Sequence, residues 1–375
     1  MVNKTVWSLS FVCFAMSTFL SLVGLISVIQ VYFHVSMSAA GFYASIFAGT
    51  LGISSIATPT LFSKYEKKKL TVIILTITIF CSLAQFFIKN YDIALIFRII
   101  PAIGYPIIVS NALTIIGKIS PNDTNKVVLG ISAGSILGLS IVTYLGMVYG
   151  FQMAMMWYCI VSLIALILVL LFVPPFEGNK DPIGLQVSRA KSKLFILSAV
   201  YSILMIIGIS ITYNYIPTYL KDVTLMQPQT LSAALLIMGL MSLIGTNLSG
   251  YSIIKKPNIT CLLYPIGFAC AIFIIGYFIK HDIYETIGLC IFALFDGSAY
   301  TVTQYWITSS VRESPEFANG IFLLLANVGI FTGTMIGGFI IESINIYYIF
   351  YGSIIVMLLA IPFVVLRIKK YPSAH

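Results

Sequence analysis

The chain has 375 residues, of which 59% are hydrophobic and only 9% charged, and its formal net charge is +9. An average soluble domain carries about 25% charged residues, and so small a polar supply cannot cover a surface that faces water. These figures exclude a soluble globular protein and indicate a chain whose outward apolar faces are solvated by lipid.

A spanning helix needs roughly 20 mainly apolar residues. Twelve such stretches follow one another, at about 7–33, 38–62, 70–89, 92–117, 126–149, 151–174, 194–219, 229–251, 258–279, 285–310, 317–341 and 344–367. The first is too long for the apolar region of a signal peptide and has no small-residue cleavage site, so it is expected to be a retained helix. The fifth and sixth meet at Gly150 with almost nothing between them. The longest connection, 175–193, is polar and follows Pro174; it contains Pro175, Pro182 and Arg189. It divides the chain into a six-helix bundle over 1–174 and a second over 194–375. The expected fold class is therefore an all-α polytopic membrane protein of twelve transmembrane helices in two pseudo-symmetric six-helix bundles.

Charge distribution sets the expected orientation. With the N-terminus inside, seventeen of the 21 Lys/Arg fall in inner loops and tails, among them Lys64, Lys67, Lys68, Lys69, Lys118, Lys126, Lys255, Lys256, Arg312, Arg367, Lys369 and Lys370. Outer loops hold Lys89, Lys221 and Lys280, and Arg98 lies inside a span. This positive-inside pattern predicts that both termini are cytoplasmic. It makes the basic balance an orientation device near anionic lipid, not a nucleic-acid footprint. The excess of Lys over Arg and the abundant Ile fit a low-GC bacterium, hence a bacterial cytoplasmic membrane.

Chemistry-bearing sets are missing. Cys13, Cys81, Cys159, Cys261, Cys270 and Cys290 all fall in spans without metal-type spacing. His34 and His281 lie near outer ends and His375 is the last residue. There is no P-loop, zinc motif or nucleophile–base pair. No enzyme, catalytic residue, metal or cofactor is expected. With no ATP-binding domain, the energy for any uphill work must come from a gradient.

The two halves repeat each other. Lys118-Ile-Ser120-Pro121-Asn122-Asp123-Thr124-Asn125 after span four matches Arg312-Glu-Ser314-Pro315-Glu316-Phe317-Ala318-Asn319 after span ten, at an offset of 194. Span five then carries Gly130, Gly134 and Gly138, and span eleven carries Gly329, Gly333 and Gly337. Such ladders let helices approach closely in lipid, and duplicated halves are typical of secondary transporters.

At this point the sequence resembles the major facilitator superfamily, over essentially its whole length. Within it the chain is similar to the drug–proton antiporter branch that includes arabinose and sugar efflux permeases. The residues that carry this are Val23-Gly24-Leu25, Ala57-Thr-Pro59 leading into the basic loop 64–69, and Arg98 with Gly104. In the second half they are Tyr213-Asn-Tyr215-Ile-Pro217, Gly245-Thr-Asn247 with Gly250, Gln304-Tyr-Trp306, Asn327-Val-Gly329 and Gly337-Gly338. Three features depart from the branch. Ser63-Lys64-Tyr65-Glu66 replaces the family's common aspartate-centred loop, span five lacks the Gly-Pro pair typical of many antiporters, and Phe19 stands where several relatives carry an acid in span one.

Charge at membrane depth costs about 2.5–3.5 kcal/mol on insertion scales, so such residues are functional candidates. Asp296 is the acid deep in a span, roughly 16 Å from the outer end of span ten at about 1.5 Å per residue. A carboxyl alternating between wet and dry surroundings can take up and release a proton; the other reading is a carboxyl permanently hydrogen-bonded to a neighbour. Arg98 lies roughly 10 Å from the outer end of span four on the same rise. The resemblance implies that spans one, four, seven and ten line a central cavity. Arg98 and Asp296 would then be a proton-coupled pair; alternatively Arg98 orients an anionic substrate or is purely structural.

Asn111, Tyr213, Asn214, Tyr215, Tyr300, Gln304, Tyr305, Trp306 and Asn327 are candidate cavity residues, because amides and aromatic faces suit drug-like solutes or sugars. The same groups also serve as interhelical hydrogen bonds. The resemblance places the glycine ladders at the contact between the halves. The expected function is transport of a small organic solute, by proton antiport in the efflux direction, through a monomer embedded in the lipid bilayer. An uncoupled facilitator or importer is the alternative.

Overall fold

The computed structural model describes residues 2–178, 192–277, 282–310 and 315–371. Among them are twelve long helical segments and no strand. They are α1 Val2–Phe33, α2 Met37–Leu61, α3 Lys67–Phe87, α4 Tyr91–Ile119, α5 Asn125–Tyr149 and α6 Phe151–Phe172. The second series is α7 Lys193–Asp222, α8 Pro228–Lys255, α9 Pro257–Tyr277, α10 Asp282–Thr308, α11 Pro315–Ser343 and α12 Tyr348–Lys370. All twelve predicted spans are present as helices. Eleven are long and apolar enough to cross a membrane, searched among the described residues. The exception is α10, whose stretch around Asp296, Thr301, Thr303 and Gln304 is more polar. Of the predicted connection, 179–191 lies outside the described residues, as do His281, His375, Lys280, Arg312 and Ser314.

The chain divides into two compact units, Met1–Ile183 and Gly184–His375. Each follows the same plan. In the first, α1 packs on α5 and α6, α2 on α4, and α3 on α6 and α4. In the second, α7 packs on α11 and α12, α8 on α10, and α9 on α12 and α10. Adding six to each helix number of the first set gives the second, which is the three-dimensional form of the sequence repeat.

The glycine ladders have a different role from the expected one. A Cβ on Gly134 would lie 2.3 Å from the Phe14 carbonyl oxygen, and one on Gly130 2.2 Å from that of Ser10. On the other side, a Cβ on Gly333 would lie 2.6 Å from the Ile207 carbonyl oxygen, and one on Gly337 2.9 Å from that of Ile211. Gly138 faces Thr18 and Ser21, and Gly329 faces Ile206. The glycine face of α5 is thus occupied by α1, and that of α11 by α7. The placement between halves is corrected: the ladders bring backbones together inside each half. The pattern signals close approach but does not say to which helix.

Three prolines inside helices, Pro101, Pro106 and Pro265, are accommodated by side chains from neighbouring helices. A helical proline leaves the carbonyl four residues before it without its N–H. The Phe97 carbonyl, freed by Pro101, accepts from Gln85 Nε2 at 3.3 Å, and the Ala102 carbonyl, freed by Pro106, accepts from Ser54 Oγ at 3.5 Å. The Cys261 carbonyl, freed by Pro265, accepts from the Tyr201 hydroxyl at 2.8 Å. In lipid no water is available to do this, so the partner must be protein.

Two helices are broken. A 3-10 stretch, Thr18–Leu25, interrupts α1; at eight residues it is longer than such runs usually are, a common sign of a hinge. α7 stops at Tyr213 and resumes at Ile216, because Pro217 lacks the N–H that the Tyr213 carbonyl would accept. Phe19 and Tyr213 are 194 residues apart, so the breaks fall at equivalent points of the repeat.

Arg367 was expected among the inner surface charges. It is fully buried. Its guanidinium lies 3.7 Å from the Trp306 ring centroid. It donates to Ser198 Oγ and Ser309 Oγ, each at 2.7 Å, and to the Trp306 carbonyl. It therefore ties α12 to α7 and to the end of α10. Arg367→Ala is expected to cost about 2–4 kcal/mol, from charge-assisted hydrogen bonds and ring stacking, read as a lower melting temperature of the detergent-solubilised protein. Arg367→Lys should recover little, since an ammonium lacks the planar fork; full recovery would count against this geometry. Lys67, also expected in an exposed loop, is buried at the start of α3.

Candidate functional site

The sequence candidates separate into two groups. Asn111, Asn214, Tyr215 and Trp306 are buried and tie helices within their own half. Asn111 Nδ2 donates to the Lys67 carbonyl and to Thr71 Oγ1, both at 3.3 Å, while its Oδ1 accepts from Lys67 Nζ at 3.5 Å. Asn214 Nδ2 donates to Thr334 Oγ1, and the Tyr215 hydroxyl donates to the Thr334 carbonyl at 2.9 Å. These two bonds hold the broken part of α7 against α11. Trp306 lies under Arg367. Asn327 is buried as well, and its Nδ2 donates to Leu323 of its own helix at 2.8 Å. Tyr305 is half-buried.

The second group shares one face of α10. Phe292, Asp296, Tyr300 and Gln304 follow at intervals of four and so lie one above the other. Tyr300 and Gln304 are exposed, and Asp296 is half-buried. Tyr213 stacks on Phe292 at 6.5 Å between ring centroids, which brings the break in α7 to the same stripe. Tyr300 meets Phe322 of α11 edge-on at 6.2 Å. The stripe therefore combines a carboxyl, two phenols and an amide along an aromatic wall.

Residues that the sequence reading did not assign frame the carboxyl. Ser242 Oγ of α8 donates to Asp296 Oδ2 at 3.3 Å. Around this bond α8 and α10 are in backbone contact. A Cβ on Gly297 would lie 1.8 Å from the Ser242 carbonyl oxygen, and one on Gly245 1.9 Å from that of Leu294. Ser298 Oγ donates to the Gly245 carbonyl and Thr246 Oγ1 to that of Gly297, each at 2.9 Å. Single glycines separated from any ladder gave no sign of this; their partners are 49 and 55 residues away in sequence.

Arg98 is 1% exposed. Its Nη2 donates to the Phe19 carbonyl in the 3-10 stretch of α1. The guanidinium sits among the Phe47, Phe19 and Tyr158 rings, 4.8, 5.9 and 6.0 Å from their centroids. Among the described residues of its half, no carboxylate lies within ion-pair distance. One repeat length on, Phe292 on Tyr213 takes the place of Arg98 on Phe19. The same contact between a broken first helix and the fourth helix is thus cationic in one half and aromatic in the other.

The sequence profile of the Major Facilitator Superfamily matches residues 7–314. The chain belongs to this superfamily. Among curated relatives, an uncharacterized MFS-type transporter, YbcL, of Bacillus subtilis (strain 168) is 23% identical, covering 87% of this chain and 86% of its own. A "Probable sugar efflux transporter" of Helicobacter pylori (strain G27) is 24% identical, covering 97% and 95%. Among solved structures, an inward-facing, unoccupied bacterial homolog of the human lysosomal transporter Spinster superposes with a TM-score of 0.76 at 14% identity. That match covers 99% of this chain and 97% of the other. The nucleoside transporter NupG, as a point variant, gives 0.74 at 16% identity over the whole of both chains. This superfamily member is thus a multi-pass membrane transporter of small solutes, with the expected fold.

Proposed function

We propose that the protein exports a small polar organic solute, a sugar or related metabolite, across a bacterial cytoplasmic membrane in exchange for protons. The observation that carries this reading is the α10 stripe, where Asp296, Tyr300 and Gln304 share a face with Tyr213. Phenol faces stack on the apolar side of a sugar ring while amide and hydroxyl groups bond its hydroxyls. Asp296 carries the proton. Its Ser242 bond serves the carboxyl in either protonation state, because a hydroxyl both donates and accepts. The name of the Helicobacter pylori relative supports both the solute class and the direction. The bundles 1–174 and 194–375, joined by 175–193, are the repeats whose alternation moves the solute, with both termini cytoplasmic and the monomer as the working unit.

The test is transport in proteoliposomes with and without an imposed pH gradient, using labelled mono- and disaccharides. Antiport predicts uphill movement that collapses when a protonophore is added. Movement only down the sugar gradient would replace this reading by an uncoupled facilitator. One observation favours that second reading. The span-one position where the resemblance implies an acid in several family members is Phe19, packed against Tyr158 and Phe47 at 4.4 and 5.7 Å.

A further inference from the structure

At one end of the second unit, α8, α9 and α10 enclose a groove of about 550 Å³, within the roughly 300–1,000 Å³ of sites that hold small molecules. Its two ends differ in character. At the mouth stand Lys255 in the last turn of α8 and Lys256 at its cap, both exposed, with the exposed Tyr251 ring 4.3 Å from Lys255 Nζ. Inward, the walls become apolar along Leu248, Ile259 and Leu263, and the groove ends where the Phe295 ring packs directly against Gly267. Leu248, Ile259 and Leu263 are 57%, 50% and 56% exposed.

Among the described residues, no carboxylate compensates the charge at the mouth. Lys69, Lys126 and Lys221 each pair with a carboxylate, but among the described residues neither Lys255 nor Lys256 does. The first unit treats its equivalent loop, 194 residues earlier, differently. There the chain after α6 folds back over the α2–α3 connection. The Phe176 carbonyl accepts from the Lys67 backbone N–H at 2.8 Å, and Gly178 lies against the backbone of Ser63 and Lys64. Lys118 covers the Phe176 ring at 5.3 Å. Among the described residues, no segment covers the α8–α9 connection in this way.

We propose that this groove holds one anionic phospholipid, its phosphate between Lys255 and Lys256 and one acyl chain along Leu248, Ile259 and Leu263. A cationic mouth at the end of an apolar, lipid-depth channel matches a molecule that joins an anion to a hydrocarbon chain, and basic pockets between membrane helices bind such headgroups. Tyr251 suits the interface between the two, as tyrosines at membrane boundaries do. The inner end of the groove reaches Phe295 and Ser298 beside Asp296, but its lysine mouth and apolar wall share no residue with the α10 stripe, and lipid binding there does not depend on the solute or on proton coupling.

The test is native mass spectrometry of the full chain in detergent, titrated with phosphatidylglycerol or phosphatidylcholine. The wild type is expected to keep one phosphatidylglycerol in preference to phosphatidylcholine. The double variant K255Q/K256Q should bind phosphatidylglycerol roughly thirtyfold more weakly, at about 1 kcal/mol per lysine, with an unchanged melting temperature. Leu263→Asn should weaken binding with both lysines in place. Equal affinity of wild type and K255Q/K256Q overturns the proposal, as does equal retention of the two lipids. Displacement of phosphatidylglycerol by millimolar inorganic phosphate would also overturn it, by marking a small-anion site instead.

Discussion

Asp296→Asn is expected to leave a folded transporter that equilibrates its solute but no longer concentrates it. The amide is nearly the size of the carboxyl and its oxygen still accepts from Ser242 Oγ, the bond made at 3.3 Å in the native protein. The packing of α8 on α10 is therefore retained. On the proposed antiport, what is lost is the group that is charged in one state and neutral in the other. One pH unit across the membrane corresponds to about 1.4 kcal/mol per proton, or about a tenfold solute gradient for one-to-one exchange. Wild-type proteoliposomes should approach that ratio, and those with Asp296→Asn should stop at equal concentrations on the two sides. Counterflow of labelled sugar, which needs no net proton movement, should survive. Undiminished accumulation by the variant would remove Asp296 from the coupling step.

The second large effect concerns the glycines that frame this carboxyl. Gly297→Ala places a methyl 1.8 Å from the Ser242 carbonyl oxygen, a backbone atom that no rotamer change can move. The α8 and α10 backbones must separate. Overpacking costs typically about 1–3 kcal/mol, and the upper end is expected here because the obstructing atom is main chain. Gly245→Ala meets the Leu294 carbonyl oxygen at 1.9 Å and should behave alike. Both changes also pull Ser242 away from Asp296, so uphill transport should fall in whatever protein still folds. Gly250, on the same helix as Gly245, is different: a methyl added there would have nothing within 4 Å. Gly250→Ala should be neutral or stabilising by up to about 1 kcal/mol through helix propensity. Thermal unfolding in detergent separates these cases. Equal melting temperatures for Gly297→Ala and Gly250→Ala would contradict the close crossing.

Arg98 and Arg367 show how far residue type alone could be read. Both are long cations in a chain with little charge. Arg98 lies mid-helix, so sequence marked it as unusual; Arg367 lies three residues from the end of α12 beside Lys369 and Lys370, so sequence grouped it with the surface charges. Only tertiary packing distinguishes a basic residue near a helix end that reaches lipid headgroups from one that turns inward onto Trp306. The candidate cavity residues divide for a similar reason. Asn111, Asn214 and Tyr215 are amides and a phenol like Gln304 and Tyr300, but packing buries the first three, against Lys67, Thr71 and Thr334 of other helices, and leaves Gln304 and Tyr300 exposed.

Membrane residence, the twelve helical segments and the repetition of the halves were legible in the order of residues alone. These follow from composition, from apolar run length and from an offset repeat, all local or periodic properties. It also exposed Asp296, because one carboxylate in an apolar span is conspicuous against its neighbours. Tertiary structure decided where the glycine ladders face, how α1 and α7 are broken, and which polar groups are buried between helices. It decided, too, that Ser242, Gly245 and Gly297 hold Asp296. The physical reason is that hydrogen bonds and backbone contacts in lipid join helices distant in sequence, and one chain's pattern records the need for a partner without recording which partner answers it.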